Sequence, residues 1–518
     1  MSRKANITAR FLTCLLLVST AINMQADDGE PLNRTIRLNK TKGTVYQLLK
    51  DISEQSGYLF IYDNSVVDND KKMKIHKGDY PLREAIYLVT GNPLLEIRLV
   101  GNHILLKTPG KIRETETAGT DAPAPEANDS HFTVRGRLLD QQNDEPILYA
   151  SVSIINTTTG TVTNRNGEFQ LIIPDSLRSS SVRFSHIGYE SHEIESGLLA
   201  GQDISFRLEP TTFALQEVEV RAVNAKQLIN EMLQRKEVNY PLEPAYLTAF
   251  YREGIEHRKQ NIDLTEAVLQ LYKTGYGSNP GNDQVKLIKK RRIVNHLEND
   301  TIFPKMKSGI NSCLILDVMK ELPDFMDPAD DSYFAFYKDM TSIDNRSVYI
   351  ITFVQNQYIK EPLYTGDLYI EADSKALAEA RFEVNPRLID KATNLFIDRK
   401  TAGLKLSLLE AKYIVSYKPD DDGRYHINHV RGDITFKVKK KGRLFSSTLH
   451  FWFEMVTCKT DTENVKPFPR NERLSPTKIF AEAKHGYDKN FWAHFNIILP
   501  EDKLKEMIIH NLNEVTEE

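Results

Sequence analysis

The sequence lacks the short motifs that identify the common classes of enzyme active site. Its 518 residues contain no G-x-S-x-G nucleophile elbow, no Walker phosphate loop, no G-x-G-x-x-G turn and no H-E-x-x-H zinc motif. The sequence therefore identifies no catalytic, cofactor-binding or metal-binding residue. We expect a protein that is not an enzyme and has no cofactor.

Cysteine is scarce, and long apolar runs are absent after the N-terminal segment. Only Cys313 and Cys458 follow that segment. In an oxidising compartment the two thiols could form a disulfide, and they could equally be buried and free. No later stretch approaches the ~20 apolar residues of a membrane-spanning helix. The mature protein is expected to be soluble or held peripherally at a membrane.

Residues 1–26 have the pattern of a secretory signal peptide. Basic residues precede the apolar run Phe11–Val18, and Ala26 offers a cleavage point. We predict export to the periplasm or to the periplasmic face of the outer membrane. Cys14 does not indicate a lipid anchor, because Phe11-Leu12-Thr13 lacks the small residue that lipidation requires just before the cysteine.

Acidic and basic residues are nearly balanced. The net charge of the chain is −4, and removal of residues 1–26, which carry three basic and no acidic residues, changes it to −7. This mild negative charge favours solubility and argues against nucleic acid as the main partner.

Residues 31–108 contain two similar β–α–β units, which predict a small α+β domain. The helix of the first unit ends at Gly57 and that of the second at Gly91. The phrases TVYQLLKDISEQSGYLFIYDNSVV and YPLREAIYLVTGNPLLEIRLVGNHILL resemble the short N-terminal domain of secretins and TonB-dependent receptors. The resemblance implies a non-catalytic periplasmic docking module. In signalling receptors that module contacts a membrane-bound regulator of a sigma factor.

Residues 109–130 are rich in Pro, Gly, Thr, Glu and Ala and have almost no large apolar side chain. Such a composition buries too little surface to order itself, so we predict a linker.

Residues 131–222 predict a β-sandwich. Apolar residues alternate along the stretch Phe132–Pro174, and Asn166-Gly167 supplies a hairpin turn. The pieces VRGRLLDQQNDEPILYASVSI, TNRNGEFQLIIP and VRFSHIGYE resemble the carboxypeptidase regulatory-like domain. The resemblance implies a seven-stranded immunoglobulin-like sandwich, which is the accessory part of metallocarboxypeptidases and not the catalytic part. Carboxypeptidase activity is therefore not expected.

The segment LQEVEVRA (Leu215 to Ala222) resembles the strand that joins this domain to the plug of outer-membrane receptors. Residues 223–518 lack the glycine-rich pattern of a plug. They are also too few for a plug and a 22-stranded barrel, whose strands need about 9–11 residues each. We expect the periplasmic front end of such a receptor without the transporter.

Residues 223–518 predict a large antiparallel β-rich α+β domain, so the chain as a whole is multidomain and mostly β. Amphipathic helices are predicted at Ala225–Val238 and Asp502–Asn511. Phe491–Ile498, which follows the strand patterns, is a further predicted segment just before the last helix. The predicted strands are Tyr246–Arg252, Asp263–Tyr272, Val348–Val354, Gly366–Glu371, Ala376–Val384, Lys405–Tyr417, His426–Val438 and Leu444–Val456. NYPLEPAYLTAFYRE, DLTEAVLQLYKTGY and DKNFWAHFNIILPEDKL resemble segments of uncharacterised Bacteroidetes proteins that carry the same regulatory-like domain. The strand order resembles the half-barrel of periplasmic lipoprotein carriers.

Two histidine pairs raise the question of a metal. His192 and Glu195 match the H-x-x-E of zinc carboxypeptidases, and His426 and His429 have the same spacing. On a strand, positions i and i+3 point to opposite faces, so neither pair is expected to converge on one ion. The acidic turn before His426 lacks the ligand register of a calcium loop and predicts a hairpin tip.

A basic run and two aromatic sets remain. Lys286–Arg292 is either a solvated strand face or a contact for lipid phosphates, the solvated face being the more common case. The aromatic residues at 333–337 and 451–453 predict sheet core, with the alternative that they line an apolar cavity.

Three hypotheses about function follow. The first is a non-enzymatic interaction protein of the periplasm or outer membrane, whose partners are envelope proteins such as an anti-sigma regulator or an outer-membrane complex. The second is a carrier of lipid or another apolar ligand in the C-terminal domain. The third is a hydrolase of unrecognised type, which would need several titratable groups in one cleft.

Overall fold

The computed structural model describes residues 31–62, 66–69, 71–100, 103–107, 130–211, 224–258, 260–294, 309–327, 333–397, 403–420, 422–442, 445–475, 492 and 495–515. The predicted signal peptide, nearly all of the predicted linker and the segment Leu215 to Ala222 lie outside these residues. The chain divides into two compact units, Met1–Ala122 and Pro123–Glu518. Among the described residues, no helix has both the length and the apolar character to cross a membrane.

The first unit contains the two predicted β–α–β repeats. Its elements are β1 (Thr35–Leu38), β2 (Lys42–Thr44), α1 (Val45–Ser56), β3 (Leu59–Tyr62), β4 (Lys72–Lys74), β5 (Gly78–Pro81), α2 (Leu82–Thr90), β6 (Glu96–Val100) and β7 (His103–Lys107). The strands form a β3-β7-β6 sheet and the pairs β1-β5 and β2-β4. Both helices bury their apolar faces in one core with these strands.

Local sequence signals set the helix ends of this unit. Thr44 and Gln47 form a capping box at the start of α1, in which each side chain accepts a hydrogen bond from the backbone of the other residue. Gly57 and Gly91 end α1 and α2 in the left-handed conformation, with φ of 77° and 65°. The predicted helix ends are therefore confirmed.

The second unit begins with the predicted sandwich. Its elements are β8 (His131–Asp140), β9 (Ser151–Ile154), β10 (Gly160–Val162), β11 (Glu168–Pro174), β12 (Ser181–Ser185), β13 (His192–Glu195), α3 (Ser196–Leu199) and β14 (Asp203–Leu208). A four-stranded sheet, β10-β9-β12-β13, faces a three-stranded sheet, β11-β8-β14. Gly167 takes a φ of 73° in the turn between β10 and β11, as the Asn-Gly signal predicts.

The rest of the second unit is built on one large antiparallel sheet. Its strands are β15 (Ala245–His257), β16 (Gln260–Lys273), β17 (Gln284–Val294), β18 (Phe334–Ile343), β19 (Arg346–Gln355), β20 (Tyr364–Glu371), β21 (Leu377–Val384), β22 (Leu404–Pro419), β23 (Tyr425–Lys440), β24 (Ser447–Asp461) and β25 (Arg473–Leu474). The order is β18-β19-β20-β21-β22-β23-β24-β15-β16-β17-β25. The mostly β, multidomain fold class is confirmed.

Helices cover one face of this sheet. They are α4 (Ala225–Gln234), α5 (Lys236–Asn239), α6 (Gly309–Ile315) and α7 (Ile389–Ala392), and α8 (Asp502–Val515) follows near the C-terminus. Leu228 and Met232 of α4 and Ile310 of α6 join the apolar strand residues in the largest core of the molecule. Segment 309–327 lies on the same face, since Phe325 stacks on Phe353 at 4.2 Å. We define this side of the sheet as the apolar face.

Several features of this region were not predicted from the sequence. They include strands β18 and β25 and helices α6 and α7. The predicted segment Phe491–Ile498 contains no strand among its described residues, 492 and 495–498. Its polar groups bond to the sandwich instead: Thr161 donates to the carbonyl of Ile497 at 3.1 Å, and the amide of Ile172 donates to the Asn496 side chain at 2.6 Å.

The two remaining cysteines are free and buried. Cys313 lies in the core of the apolar face, whereas Cys458 lies in a separate cluster with Val162 of the sandwich. The disulfide alternative is thus contradicted, and the alternative of two buried thiols is confirmed. Burial raises the pKa of Cys458 to about 12, which keeps this thiol protonated at neutral pH.

Candidate functional site

Five charged residues of alternating sign cross the sheet on the side opposite the apolar face. In strand order from β23 to β17 they are Arg431, Glu454, Arg252, Glu266 and Arg291. Each is the direct cross-strand partner of the next. Cross-strand partners lie on the same face of a sheet, so the five side chains form one row. We call this row the charge ladder.

The charge ladder is buried and internally paired. The side chains of Arg431, Glu454, Arg252 and Glu266 are 0–3% exposed, and that of Arg291 is 12% exposed. The closest N–O distances are 2.8 Å for Arg431–Glu454, 2.5 Å for Arg252–Glu454, 3.7 Å for Arg252–Glu266 and 2.5 Å for Arg291–Glu266. Charges this deep in a protein are tolerated only when they are paired.

Glu454 remains ionised because the arginines on either side of it neutralise its charge. Burial alone would raise the pKa of Glu454, but the charges of Arg252 and Arg431 lower it well below its ordinary value. The Trp452 ring lies 5.4 Å from the Arg252 guanidinium and 5.3 Å from that of Arg431. These are cation–π distances, so the ring adds a second type of partner for both cations.

The sandwich reaches the ladder through Tyr149 and Arg165. The Tyr149 ring lies 5.5 Å from the Arg431 guanidinium and stacks on His429 at 5.0 Å. Arg165 forms an ion pair of 2.6 Å with Asp433 of β23. Two side chains of the sandwich therefore contact charged and aromatic residues of β23.

Asp433 is the meeting point of three cationic groups. Besides Arg165, it accepts from Arg431 at 2.8 Å and pairs with the His450 ring at 2.9 Å. Burial alone would raise the pKa of Asp433, but the charge of Arg431 and the hydrogen bond from His450 lower it well below its ordinary value. Burial would also lower the pKa of His450, yet hydrogen bonds to Asp433 and Glu256 raise it.

Further hydrogen bonds attach the sandwich to the same face. Thr158 donates to the carbonyl of Thr460 at 2.9 Å, and Asn164 donates to that of Leu499 at 3.1 Å. Lys505 of α8 forms an ion pair with Glu168 at 3.1 Å. The sandwich, the sheet and the C-terminal segment are thus joined by polar contacts over several elements, and we call this side of the sheet the polar face.

A second buried ionic cluster fixes segment 309–327 to the sheet. Lys273 pairs with Asp283 at 2.9 Å and with Asp317 at 2.8 Å, and Lys320 pairs with Asp283 at 2.6 Å. Tyr417 donates to Asp317 at 2.8 Å. Burial, with the nearby Lys273, lowers the pKa of Lys320 to about 8. Its ammonium group is fully enclosed, so the arrangement is structural.

A shallow cleft with a volume of about 30 Å³, open to solvent, lies between the sandwich and the β22–β23 hairpin. Lys418, Asp420, His426 and Ser151 are among the residues that line it. His426 and Asp420 are paired at 2.6 Å. Burial opposes ionisation of Asp420, but the hydrogen bond from His426 lowers its pKa to about 2. A carboxylate–imidazole pair can transfer a proton. The hydrolase hypothesis can therefore be tested by substitution of His426 or Asp420.

The histidine motifs do not form metal sites. His192 packs against the Phe206 ring at 5.4 Å, whereas Glu195 is exposed. His426 pairs with Asp420 at the hairpin tip, whereas His429 stacks on Tyr149. Within the described part of the chain, no group of three or more His, Cys, Asp or Glu side chains is arranged to hold a metal ion.

The basic run Lys286–Arg292 is neither a simple solvated face nor a free lipid contact. Lys290 is buried, Arg291 belongs to the charge ladder, and Arg292 pairs with Asp263 at 2.6 Å. The expectation of a solvated strand face is therefore wrong for Lys290 and Arg291, whereas the side chain of Arg292 is 41% exposed. The reason is that β16 provides acidic cross-strand partners, which sequence spacing alone does not show.

The two aromatic sets are mainly core, as predicted. Phe451 and Phe453 pack on the apolar face and Trp452 on the polar face, and all three are buried. Phe334 is buried in the apolar core, whereas Tyr337 is exposed.

The charge ladder was not predicted from the sequence. Its one visible signal is a charged residue between two uncharged neighbours in a strand, as in Val430-Arg431-Gly432 and Thr265-Glu266-Ala267. Such a residue is usually on a solvated face, so the signal gains meaning only when the strand order places opposite charges side by side.

Comparisons with known proteins identify one region of the chain. Two solved structures share weak similarity. A DUF1329 family protein from Desulfovibrio piger is 11% identical, with 47% of this chain and 93% of that chain covered and a TM-score of 0.19. A 9R-lipoxygenase from Cyanothece is 9% identical, with 35% and 45% covered and a TM-score of 0.14. At these TM-scores neither similarity supports an argument.

None of the curated proteins matches the sequence. Residues 134–220 match the sequence profile of the CarboxypepD_reg-like domain family. The matched region is the sandwich, which agrees with the resemblance seen in the sequence. The sandwich of this chain is therefore a CarboxypepD_reg-like domain, an immunoglobulin-like accessory domain.

Proposed function

We propose that the protein is a non-enzymatic interaction protein of the cell envelope, in which the first unit docks to a partner and the second is a rigid base. The observation that carries this proposal is the division into two compact units with separate cores. In the second unit the charge ladder is buried and paired internally. The sandwich contacts it through Tyr149 and pairs with the same sheet through Arg165.

The first unit offers a suitable docking surface beside β6. This strand has a neighbour on one side only, β7, among the described residues. Leu94, just before β6, is 72% exposed, and Leu88 of α2 is 38% exposed. An edge strand can accept a strand of another protein, and exposed leucines add apolar area. We propose that a partner protein binds here through an extended segment.

The partner is proposed to be an envelope protein, such as a membrane-bound anti-sigma regulator or an outer-membrane complex. The support is the predicted export signal in residues 1–26 and the resemblance of residues 31–108 to a periplasmic docking module. The protein would then act in the periplasm or on the periplasmic face of the outer membrane.

A pull-down from envelope extracts tests the proposal. The baits are the full mature chain, a deletion of residues 31–108, the variant Leu94→Asp and the control Leu395→Asp. Leu395 is a matched control because it is a 60% exposed leucine of the second unit. We expect the deletion and Leu94→Asp to lose the same specific partner, whereas Leu395→Asp keeps it.

Retention of every partner by the deletion would overturn the docking role. If the deletion loses the partner and Leu94→Asp retains it, the docking surface lies elsewhere on the first unit. The carrier hypothesis has less support, because α4, α6 and segment 309–327 occupy the apolar face that a ligand would need.

A further inference from the structure

One end of the large sheet carries a concentration of exposed basic residues. It includes the tip of the β15–β16 hairpin, the start of β22 and the tip of the β23–β24 hairpin. All of these residues are exposed to solvent. The basic residues are Arg258, Lys405, Lys437, Lys439, Lys440 and Lys441, and we call this surface, together with Phe445, the basic corner.

The register of the sheet brings these residues together. Lys405 of β22 lies directly opposite Lys439 of β23. Lys437 lies opposite Thr448 of β24, and the amide of Arg258 donates to the carbonyl of Thr448 at 3.2 Å. The two hairpin tips are therefore adjacent. Two lysines placed directly opposite each other repel and weaken strand pairing.

Acidic groups of the described residues do not neutralise this surface. None of the six basic side chains forms an ion pair with another described residue. The nearest acids along the same strands already have partners, since Glu256 and Asp433 pair with His450, and Asp263 pairs with Arg292. The basic corner thus keeps its positive charge in a chain whose net charge is −4.

An aromatic side chain projects from the same tip. Phe445 is 88% exposed, a larger exposed fraction than any other described large apolar side chain. A single exposed apolar residue is ordinary, but this one is only four residues along the chain from Lys441. Positive charges beside an exposed aromatic ring are the pair of features that membrane-surface segments use.

We propose that the basic corner binds the surface of an anionic lipid bilayer. The lysines contact lipid phosphates, and the Phe445 ring enters the interfacial layer. A single ring at a convex hairpin tip favours a membrane over single-stranded nucleic acid, which is bound in grooves with several stacking rings. The proposal concerns a lipid surface and is independent of the protein partner proposed for the first unit.

Vesicle flotation tests the proposal with the full mature chain. The vesicles contain phosphatidylcholine alone or phosphatidylcholine with phosphatidylglycerol, at about 0.05 M and about 0.5 M NaCl. We expect binding to the anionic vesicles at low salt, with a loss at high salt because screening weakens exposed charges. The double variant Lys439→Glu/Lys441→Glu is expected to lower the vesicle partition coefficient by about tenfold or more.

The variants separate binding from folding. A carboxylate at position 439 faces Lys405, so Lys439→Glu replaces a repulsive pair with an attractive one and leaves the urea midpoint equal or higher. Phe445→Ser is expected to lower partition by several-fold without changing the salt dependence. The matched control is Lys338→Glu/Lys466→Glu, which makes the same charge change at exposed lysines on β18 and beyond β24.

Three results would overturn the proposal. The first is absence of wild-type binding to anionic vesicles. The second is an equal loss of partition in the control variant, which would show a general charge effect. The third is binding of a single-stranded oligonucleotide or inorganic phosphate to the basic corner without vesicle binding, which would assign the surface to a soluble anion.

Discussion

The two faces of the large sheet are stabilised in different ways. On the apolar face, strand residues such as Leu247 and Phe353 are buried against α4, α6 and segment 309–327. On the polar face, the charge ladder lies under the sandwich and the C-terminal segment. The same strands supply both faces, because alternate residues point to opposite sides.

The difference lies in how strongly each face specifies its partner. Apolar burial is non-directional and tolerates changes that keep volume. An ion pair requires each charge at one position, and a missing partner leaves an uncompensated charge in a buried place. We infer that the apolar face supplies most of the stability and that the polar face determines where the sandwich docks.

The largest expected effect comes from breaking the charge ladder at its centre. Glu454→Ala removes the shared partner of Arg252 and Arg431, so each of these buried cations loses its ion pair with Glu454 and keeps only its contact with Glu266 or Asp433. We expect the free energy of unfolding to fall by about 3–5 kcal/mol. Urea unfolding followed by tryptophan fluorescence is a suitable measurement, since both tryptophans of the chain, Trp452 and Trp492, lie on the polar face.

Two further variants test the cause of that loss. Glu454→Gln keeps the side-chain volume, so a similar loss would assign the effect to charge. Glu472→Ala removes a partly exposed partner of Lys286 and should change stability by less than about 1 kcal/mol. Equal effects of Glu454→Ala and Glu472→Ala would contradict the ladder's role.

The apolar face should respond to lost volume and not to charge. Leu247→Ala deletes a fully buried side chain and is expected to lower the free energy of unfolding by about 3 kcal/mol. Leu247→Met, which nearly conserves volume, should lower it by less than about 1.5 kcal/mol. If Leu247→Met were as damaging as Leu247→Ala, the two faces would not differ in the way argued above.

A smaller effect is expected where the sandwich meets the sheet. Asp433→Asn removes the charge that Arg165, Arg431 and His450 share, and should lower the free energy of unfolding by about 1–3 kcal/mol. A double-mutant cycle with Arg165→Ala measures the part of this loss that crosses the junction. A coupling energy near zero would show that Arg165 contributes nothing to docking.

The smallest expected effect is the pH dependence of His450. Its pKa is raised in the folded protein by the bonds to Asp433 and Glu256. A raised pKa means that its contribution to stability is complete below the unfolded value of about 6.5 and is lost as pH rises through the folded value. The urea midpoint should therefore decrease slightly as pH rises above about 6.5.

The variant His450→Gln should remove this slope. The pKa of Lys320 is lowered to about 8, so its effect on the free energy of unfolding becomes more favourable as pH rises above that value. This effect is opposite to that of His450, and the comparison with His450→Gln separates the two groups. An unchanged slope in His450→Gln would assign the pH dependence to another group.

Much of the fold followed from the sequence pattern. The eight predicted strands of the large sheet, the repeat of the first unit and the Asn166-Gly167 turn agree with the structure. Each depends on residues close in sequence, where alternation, helical spacing and turn residues act directly. Helix α6 was missed because its seven residues are too few for a clear period.

The charge ladder could not be predicted in the same way. Arg252 and Glu454 are paired only because β15 and β24 are neighbours in the sheet. The basic corner also depends on register, since Lys405 and Lys439 lie opposite each other across two strands. Strand order and register are non-local choices, and sequence spacing does not contain them.

The sequence by itself determined the element types, the sandwich and the repeated first unit, because those features arise from local periodicity and turn chemistry. Only the tertiary structure decided which charges are buried partners and which remain exposed. Lys273 is a buried and paired lysine, whereas Lys439 is a lysine exposed to solvent. The difference arises because segment 309–327 and the turn before β17 supply Asp317 and Asp283 to Lys273, whereas the neighbouring strand β22 supplies a second lysine to Lys439.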